Sequence, residues 1–383
     1  MSMARSNRRH ADSRQRSEGL KEMRYQLMNA DKVVAVLEER SVLGEYSYQV
    51  VEQLDGYLQY GFCDINSWID DRQIAKHRTS IKRLMAELGM DNRKSFIDMV
   101  RCVSLTDTFW IRHEDSGLTW RDVSLYTNAF DDVVARIAFD GAGMYGRQFS
   151  SISPEFGTSG SFDKCWVREQ DGPHLLKRGS SGFANSGFEP YSEKLCSDIF
   201  DAASVEHVPY TLRNYHGKLA SDCALFTSEE IGFVPAIRMF DRMPDAYGML
   251  SFLAAHGGEE SFRDMLVMDA VCVNVDRHAG NYGFLVRNDT GEILGMAPLF
   301  DQNLALLPYL MEDDDLDEYL SFQKPKIGGD FTVVAKAMLT GDMRSRLVAL
   351  KDFSFEDPGY GYPVWKLEIV RRLKDQMIEG ILA

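Results

Sequence analysis

The stretch Val273-Asn274-Val275-Asp276-Arg277-His278-Ala279-Gly280-Asn281-Tyr282-Gly283 decides how the rest of the chain is read. An apolar segment with helical patterning, Phe262–Val273, runs into it. A predicted hairpin leaves it, with strands Gly283–Arg287 and Ile293–Met296 around Asn288-Asp289-Thr290-Gly291. A junction of this kind holds side chains out over a cleft. Asp276 and Asn281 are five residues apart, a spacing that suits one base and one metal ligand from a single loop. The same residues also suit a polar helix-to-strand turn in which Asp and Asn cap backbone groups. Taken alone, the loop leaves both readings open.

Working outward, Ala297-Pro298-Leu299-Phe300-Asp301-Gln302-Asn303 places one acid just after two apolar residues, across the hairpin from Asp276. Upstream, His174-Leu175-Leu176-Lys177-Arg178 puts a lysine at the end of an apolar strand. Such a lysine ordinarily snorkels to solvent. Here a Gly-containing loop precedes the hairpin that carries it, and a helix predicted over 189–203 follows. That order allows an ion pair between Lys177 and Glu189, with Glu193 one turn later as the rival partner. Further upstream, Gly157-Thr158-Ser159-Gly160-Ser161-Phe162-Asp163-Lys164 is a loop whose glycines let backbone N–H groups approach phosphate. It lacks the GK[ST] ending of a Walker A loop.

Phosphoryl transfer needs few protein groups: a phosphate cradle, a cation, metal ligands and a carboxylate at the attacking hydroxyl. The loop at 157–160, Lys177, Asp276, and Asn281 with Asp301 supply these parts in that order. Each piece is modest by itself, and the ordered set is far harder to obtain by chance.

Bulk properties fit a soluble enzyme. The 383 residues allow two or three domains, and hydrophobic and charged contents of 44% and 26% are ordinary for a globular protein. No apolar run reaches the roughly 18–20 residues that span a bilayer, and no secretory leader is recognisable, so a cytoplasmic location is expected. The six cysteines are widely spaced without a CxxC pair, which argues against a zinc or redox site. A net charge of −15 argues against direct binding to nucleic acid. The acidic run Glu312-Asp313-Asp314-Asp315 reads as a solvated loop or helix start.

Four segments are expected. Residues 1–25 form a basic disordered tail, and 26–146 an accessory domain with a strand at 31–36 and helical patterning over 64–90 and 95–103. Residues 147–242 hold the glycine loop, the hairpin Lys164–Glu169 and His174–Arg178, a helix, and strands at 205–212, 219–227 and 234–240. Residues 243–383 are mostly helical and carry the catalytic loop. Trp110, Trp120 and Tyr126 are read as core aromatics.

The combined pattern resembles the HipA-like kinases, a bacterial branch of the protein-kinase-like fold. The carriers are Asp276-Arg277-His278-Ala279-Gly280-Asn281-Tyr282-Gly283, then Pro298-Leu299-Phe300-Asp301, His174-Leu175-Leu176-Lys177, Glu189 with Leu195, and Phe240-Asp241-Arg242. A looser likeness covers Trp68-Ile69-Asp70-Asp71-Arg72, Arg78, Ser104 to Trp110, and Trp120. The resemblance implies an α+β, two-lobed kinase-like fold with an N-terminal accessory domain and a helical C-terminal lobe. It implies Mg-ATP as cofactor, Asp276 as base, Asn281 and Asp301 as Mg²⁺ ligands, and Lys177 on the ATP phosphates. It also implies that the backbone of Arg238 and Phe240 meets the adenine. The order Asp-Arg-His, shared with lipid kinases, keeps His278 open as a second catalytic group. Two departures stand out: Gly157 occupies a position where some members carry an autophosphorylated serine, and Arg238 one where an acid is frequent. The function implied is a Ser/Thr protein kinase of the toxin type, with a protein substrate and an antitoxin partner. A small-molecule or lipid kinase, or a non-catalytic nucleotide-binding module of a toxin–antitoxin complex, are the alternatives.

Overall fold

The computed structural model describes residues 23–73, 79–141, 153–158 and 160–383. The expected tail to residue 22, Arg78 and Ser159 lie outside the described residues. Eleven strands form three antiparallel sheets among the described residues.

The first sheet has the order β3-β2-β1-β4, with β1 Arg24–Asn29, β2 Lys32–Val42, β3 Glu45–Gln53 and β4 Phe109–His113. Sequence reading put Arg24 and Tyr25 in or beside the tail, but Tyr25 is fully buried in β1 and pairs with both Leu37 and His113. The β2–β3 hairpin turns through Leu43 (φ 54°) and Gly44 (φ 87°), the two successive left-handed residues that a two-residue hairpin loop requires. Helices Ile65–Arg72 and Arg93–Val100 cover one face, and helix Asp132–Asp140 packs instead on strand Lys164–Glu169 of the second sheet. Asp64 caps the first through the N–H groups of Asn66 and Ser67, and Asn92 forms a reciprocal capping box with Ser95 on the second.

The second sheet has the order β5-β6-β8-β7, with β5 Lys164–Glu169, β6 Gly172–Arg178, β7 Thr211–Tyr215 and β8 Lys218–Ala224. Helix Glu189–Ala202 packs beneath it. Its core is continuous with that of the first sheet: Cys165, Leu176 and Ala220 share a cluster with Leu27, Val34 and Phe96. The accessory region is therefore built onto this lobe rather than tethered to it.

The third sheet, β11-β10-β9, has β9 Ile231–Pro235, β10 Gly283–Arg287 and β11 Ile293–Met296. The strand expected over 234–240 stops at Pro235, and Ala236–Met239 is a helical turn. Proline offers no N–H to extend the ladder, and the next two N–H groups bond Tyr282 and Ala279 carbonyls instead. The expected strand at 205–212 is also shorter: regular pairing begins at Thr211. Helices Glu259–Val271, Phe331–Met338, Gly341–Leu350 and Val364–Leu382 complete the C-terminal core. Asp315, in the acidic run, caps the short helix Leu316–Ser321. Trp110 and Trp120 are buried, as read from sequence. No helix among the described residues is long and apolar enough to cross a membrane.

Candidate active site

Lys177 sits on β6 with its side chain under the second sheet, 6% exposed. Its ammonium meets two carboxylates, Glu193 of helix Glu189–Ala202 and Asp301 Oδ1 at 2.7 Å. Glu193 Oε2 also accepts from the Ser221 hydroxyl on β8. The lysine partner is thus Glu193, not Glu189. Glu189 opens the helix one turn earlier, where free backbone donors lie within reach: Oε2 accepts from the N–H groups of Ser180 (3.2 Å) and Gly187 (3.1 Å). Its Oε1 accepts from the Tyr309 hydroxyl (2.8 Å), so Glu189 folds the 179–188 loop onto the C-terminal lobe. Residues four apart share a helix face, and sequence spacing alone does not decide which turn faces the strand.

Burial alone would lower the Lys177 ammonium, but Asp301 and Glu193 hold it well above its usual range. Burial raises Glu193, partly offset by Lys177. Burial would likewise raise Asp301, yet Lys177, Lys164 and Arg277 bring it down to about 2. Asp301 is therefore a carboxylate at any physiological pH. It adopts φ 62°, an uncommon left-handed conformation for a non-glycine residue. Its N–H donates to the Tyr210 hydroxyl at 3.2 Å.

The stretch that carries Asp276 is built around Arg277. This side chain, 2% exposed, donates to Asp269 Oδ2 through Nε (2.8 Å) and to Asp269 Oδ1 through Nη2 (3.0 Å). Its Nη1 donates to the carbonyls of Asn281 (2.6 Å) and Phe300 (2.7 Å). One guanidinium thus ties the helix before the loop, the loop's end and the residue before Asp301 into one unit. Asn274 holds the loop's start, donating to Asp269 (2.9 Å) and accepting from Asp276 N–H (3.1 Å). Asn281 Nδ2 donates to the Asp276 carbonyl at 3.1 Å, leaving its side-chain oxygen for another partner. The Asp276 carboxyl is raised by burial and by Asp301, against the lowering effect of His278, Lys326 and Arg277. A half-buried carboxylate with a raised pKa suits a general base. His278 is exposed, and its Nδ1 accepts from Gly280 N–H at 3.0 Å.

The expected glycine loop lies beside the accessory region and β5. Gly157 follows the short helix Pro154–Phe156, and a Cβ there would stand 3.4 Å from the Val103 carbonyl and 3.6 Å from that of Arg72. Thr158 donates to the Pro154 carbonyl (2.7 Å) and accepts from Trp166 Nε1 (2.9 Å). Both residues are engaged with the accessory region and β5. Gly160 (φ 92°) lies against the Lys164 ammonium, which a Cβ would displace. Lys164, which sequence reading assigned no role, pairs directly opposite Lys177 across β5 and β6 and lies within electrostatic reach of Asp301. Directly opposed residues share a sheet face, so the signal was the pairing of two lysines across a legible hairpin.

Arg238 and Phe240 are not on the strand beside Lys177. That neighbour is β8, which the chain leaves at Ala224. Arg238 lies in the helical turn after β9 and pairs with Asp71 of the accessory region at 3.2 Å. The Phe240 ring packs on Phe252 and Phe284 at centroid distances of 4.9 and 6.1 Å.

No family model matches the chain, and no curated protein matches it. Solved structures do. A chain of the Shewanella oneidensis MR-1 toxin–antitoxin complex of HipA, HipB and operator DNA matches over 93% of this chain and 96% of its own, with TM-score 0.54 and 12% identity. The chain has a HipA-like kinase fold. The Helicobacter pylori proinflammatory kinase CtkA also matches, over 57% of this chain and 92% of its own, at 15% identity and TM-score 0.41. At such identities the HipA likeness speaks for the fold, and the site must carry the chemistry.

Proposed function

We propose that this HipA-like fold is an ATP-dependent phosphotransferase, a Ser/Thr protein kinase whose base is Asp276. The observation that carries the reading is the Lys177–Asp301 contact together with Arg277, which bonds both the Asp276 loop and the residue before Asp301. A cation and an ionised carboxylate are in contact, and the Arg277 bonds join the segment of that carboxylate to the loop carrying the amide oxygen and the half-buried base.

The donor set fits a magnesium ion. Asp301 is ionised, and Asn281 presents a side-chain oxygen whose amide nitrogen is already committed. Among the described residues no group of three or more His, Cys, Asp or Glu is arranged to hold a metal, which suits an ion shared with phosphate oxygens rather than a protein cage. Bound there, magnesium would neutralise phosphate charge. Lys177, anchored by Glu193, places its ammonium on the nucleotide phosphates. Asp276 accepts the proton of the acceptor hydroxyl as its oxygen bonds to the γ-phosphorus. The bond from that phosphorus to the β,γ-bridging oxygen breaks, and ADP leaves with the electron pair. His278 stands exposed at the loop.

The fold match supports, as part of the same proposal, a toxin-type kinase with an antitoxin-class protein partner. Incubation with γ-labelled Mg-ATP, followed by phosphoamino-acid analysis, tests the reaction class. Label in serine or threonine of this chain or of an added protein is expected. Label found only in lipid or small-molecule acceptors contradicts the protein-kinase reading.

A further inference from the structure

Asp301 follows two residues whose main chain is already tied down. The Leu299 carbonyl accepts from the Val208 N–H at 2.8 Å, and the Leu299 N–H donates to the Glu206 carbonyl at 3.2 Å, a short parallel bridge. The Phe300 carbonyl is taken by Arg277. The two Leu299 bonds need no particular side chain on the 206–208 segment. The next bond does: the Asp301 N–H donates to a hydroxyl, that of Tyr210, at 3.2 Å. Asp301 stands at φ 62°, a conformation that is costly for a residue with a Cβ and persists where the surroundings impose it.

Tyr210 is itself fixed at both ends. Its side chain is buried with Val208 and Cys223 against Phe300, and the Lys177 ammonium lies 5.6 Å from its ring centroid. Burial, against the opposing pull of Lys177, holds the phenol well above its usual range, so it stays protonated. At the other end, the Tyr210 N–H donates to the Ser197 hydroxyl at 3.1 Å. That hydroxyl lies 2.9 Å from His207 Nε2, and His207 Nδ1 lies 2.8 Å from the Val205 carbonyl. A carbonyl only accepts, so Nδ1 carries the proton and Nε2 accepts from Ser197. Ser197 sits one turn beyond Glu193 on helix Glu189–Ala202. One helix therefore carries both the acid that anchors Lys177 and the hydroxyl that anchors Tyr210. A phenylalanine would fill the same apolar space. What tyrosine adds there is the oxygen that takes the Asp301 N–H.

We propose that Tyr210 is a positioning residue for the metal-binding carboxylate: by taking the Asp301 N–H, its hydroxyl holds Asp301 in the left-handed conformation in which the carboxylate meets Lys177 and the magnesium ion. The assignment rests on the phosphotransferase reading above. The test uses the full chain and the Kd of a fluorescent, non-hydrolysable ATP analogue, measured in magnesium and in EDTA. Tyr210→Phe keeps the ring and removes the oxygen. The gain in affinity that magnesium brings falls about three- to tenfold, the size of one lost hydrogen bond, while the Kd in EDTA stays near wild type. Amide exchange across 297–303 quickens in the same variant. Ser197→Ala frees the Tyr210 N–H and acts in the same direction by less, which serves if Tyr210→Phe does not fold. Tyr126→Phe removes another buried tyrosine oxygen, one bonded to the Leu105 carbonyl at 2.9 Å in the accessory region, and leaves the magnesium gain at the wild-type value. A wild-type gain retained in full by Tyr210→Phe and Ser197→Ala, or an equal loss in Tyr126→Phe, overturns the assignment alone. No nucleotide binding by the wild-type protein overturns the phosphotransferase reading and the assignment with it.

Discussion

Arg277 and Lys177 are buried cations tied to the Asp301 segment, and they are held differently. Arg277 spends its donors on one carboxylate and two carbonyls, all within its own lobe and the Asp301 segment. Lys177 reaches from one lobe to the other and is held by two carboxylates. The planar fork of arginine suits a fixed joint, whereas the compact ammonium of lysine suits a site that exchanges partners with phosphate. The difference separates the part that holds the loop in shape from the part proposed to meet ligand.

Arg277→Leu breaks the comparison on the side of stability. It leaves Asp269 buried without its cation, so unfolding in urea is expected to become about 3–5 kcal/mol easier. A change below about 1 kcal/mol would show that the joint is not structural. Lys177→Met probes the other side. Glu193, already raised by burial, then loses the cation that lowers it. A carboxyl whose folded pKa lies above its unfolded one stabilises at low pH and loses that contribution as pH rises through the folded value. The variant's stability deficit should therefore grow from pH 5 to pH 8, while Mg-ATP binding weakens at both. A deficit independent of pH would contradict the buried Glu193 pair.

Glu193→Gln and Glu189→Gln sharpen the distinction within one helix. Loss of the Lys177 partner should lower turnover about tenfold or more through misplacement of the ammonium. Loss of Glu189 should instead loosen the 179–188 loop, read as faster amide exchange there with a smaller effect on turnover. Equal effects would mean that the two turns act alike. The smallest effect is expected at Lys366, buried on helix Val364–Leu382, whose ammonium donates to the Leu310 carbonyl at 2.7 Å and lies 4.5 Å from the Phe188 ring. Burial lowers it to about 8. Between that value and the ordinary lysine range the unfolded state binds more protons, so this group makes stability rise with pH. Lys366→Met should change stability at pH 7 by about 1 kcal/mol or less and flatten that rise.

Much of this arrangement was legible in the sequence. The hairpin after the Asp276 loop and the helix from Glu189 were readable because their apolar periodicity and turn residues agree. The loop itself was readable because Asp276, Asn281 and Asp301 carry side chains that a turn rarely needs together. What was not legible depends on three-dimensional choices. Glu189 and Glu193 share a helix face, and only packing decides which one reaches β6. The Phe240-Asp241-Arg242 motif suggested the lobe connection, yet β8 is the strand that pairs with β6, and Pro235 ends the later strand. Gly157 and Thr158 look like a phosphate loop by composition but are used against Val103, Arg72 and Trp166. Lys164 was overlooked because a lysine at a strand start ordinarily points to solvent.

The central claim is that Asp276 is the base of a phosphoryl transfer. Single-turnover transfer from γ-labelled Mg-ATP by the full-length protein, compared with Asp276→Asn, tests it most directly. The account predicts a loss of about 10²- to 10⁴-fold in transfer, with melting temperature and ATP affinity near wild type. In the wild type, transfer should also fall as pH drops through a carboxyl pKa above the usual aspartate value, since the base must be ionised. Equal labelling by the variant, at the same rate and on the same residues, would contradict it.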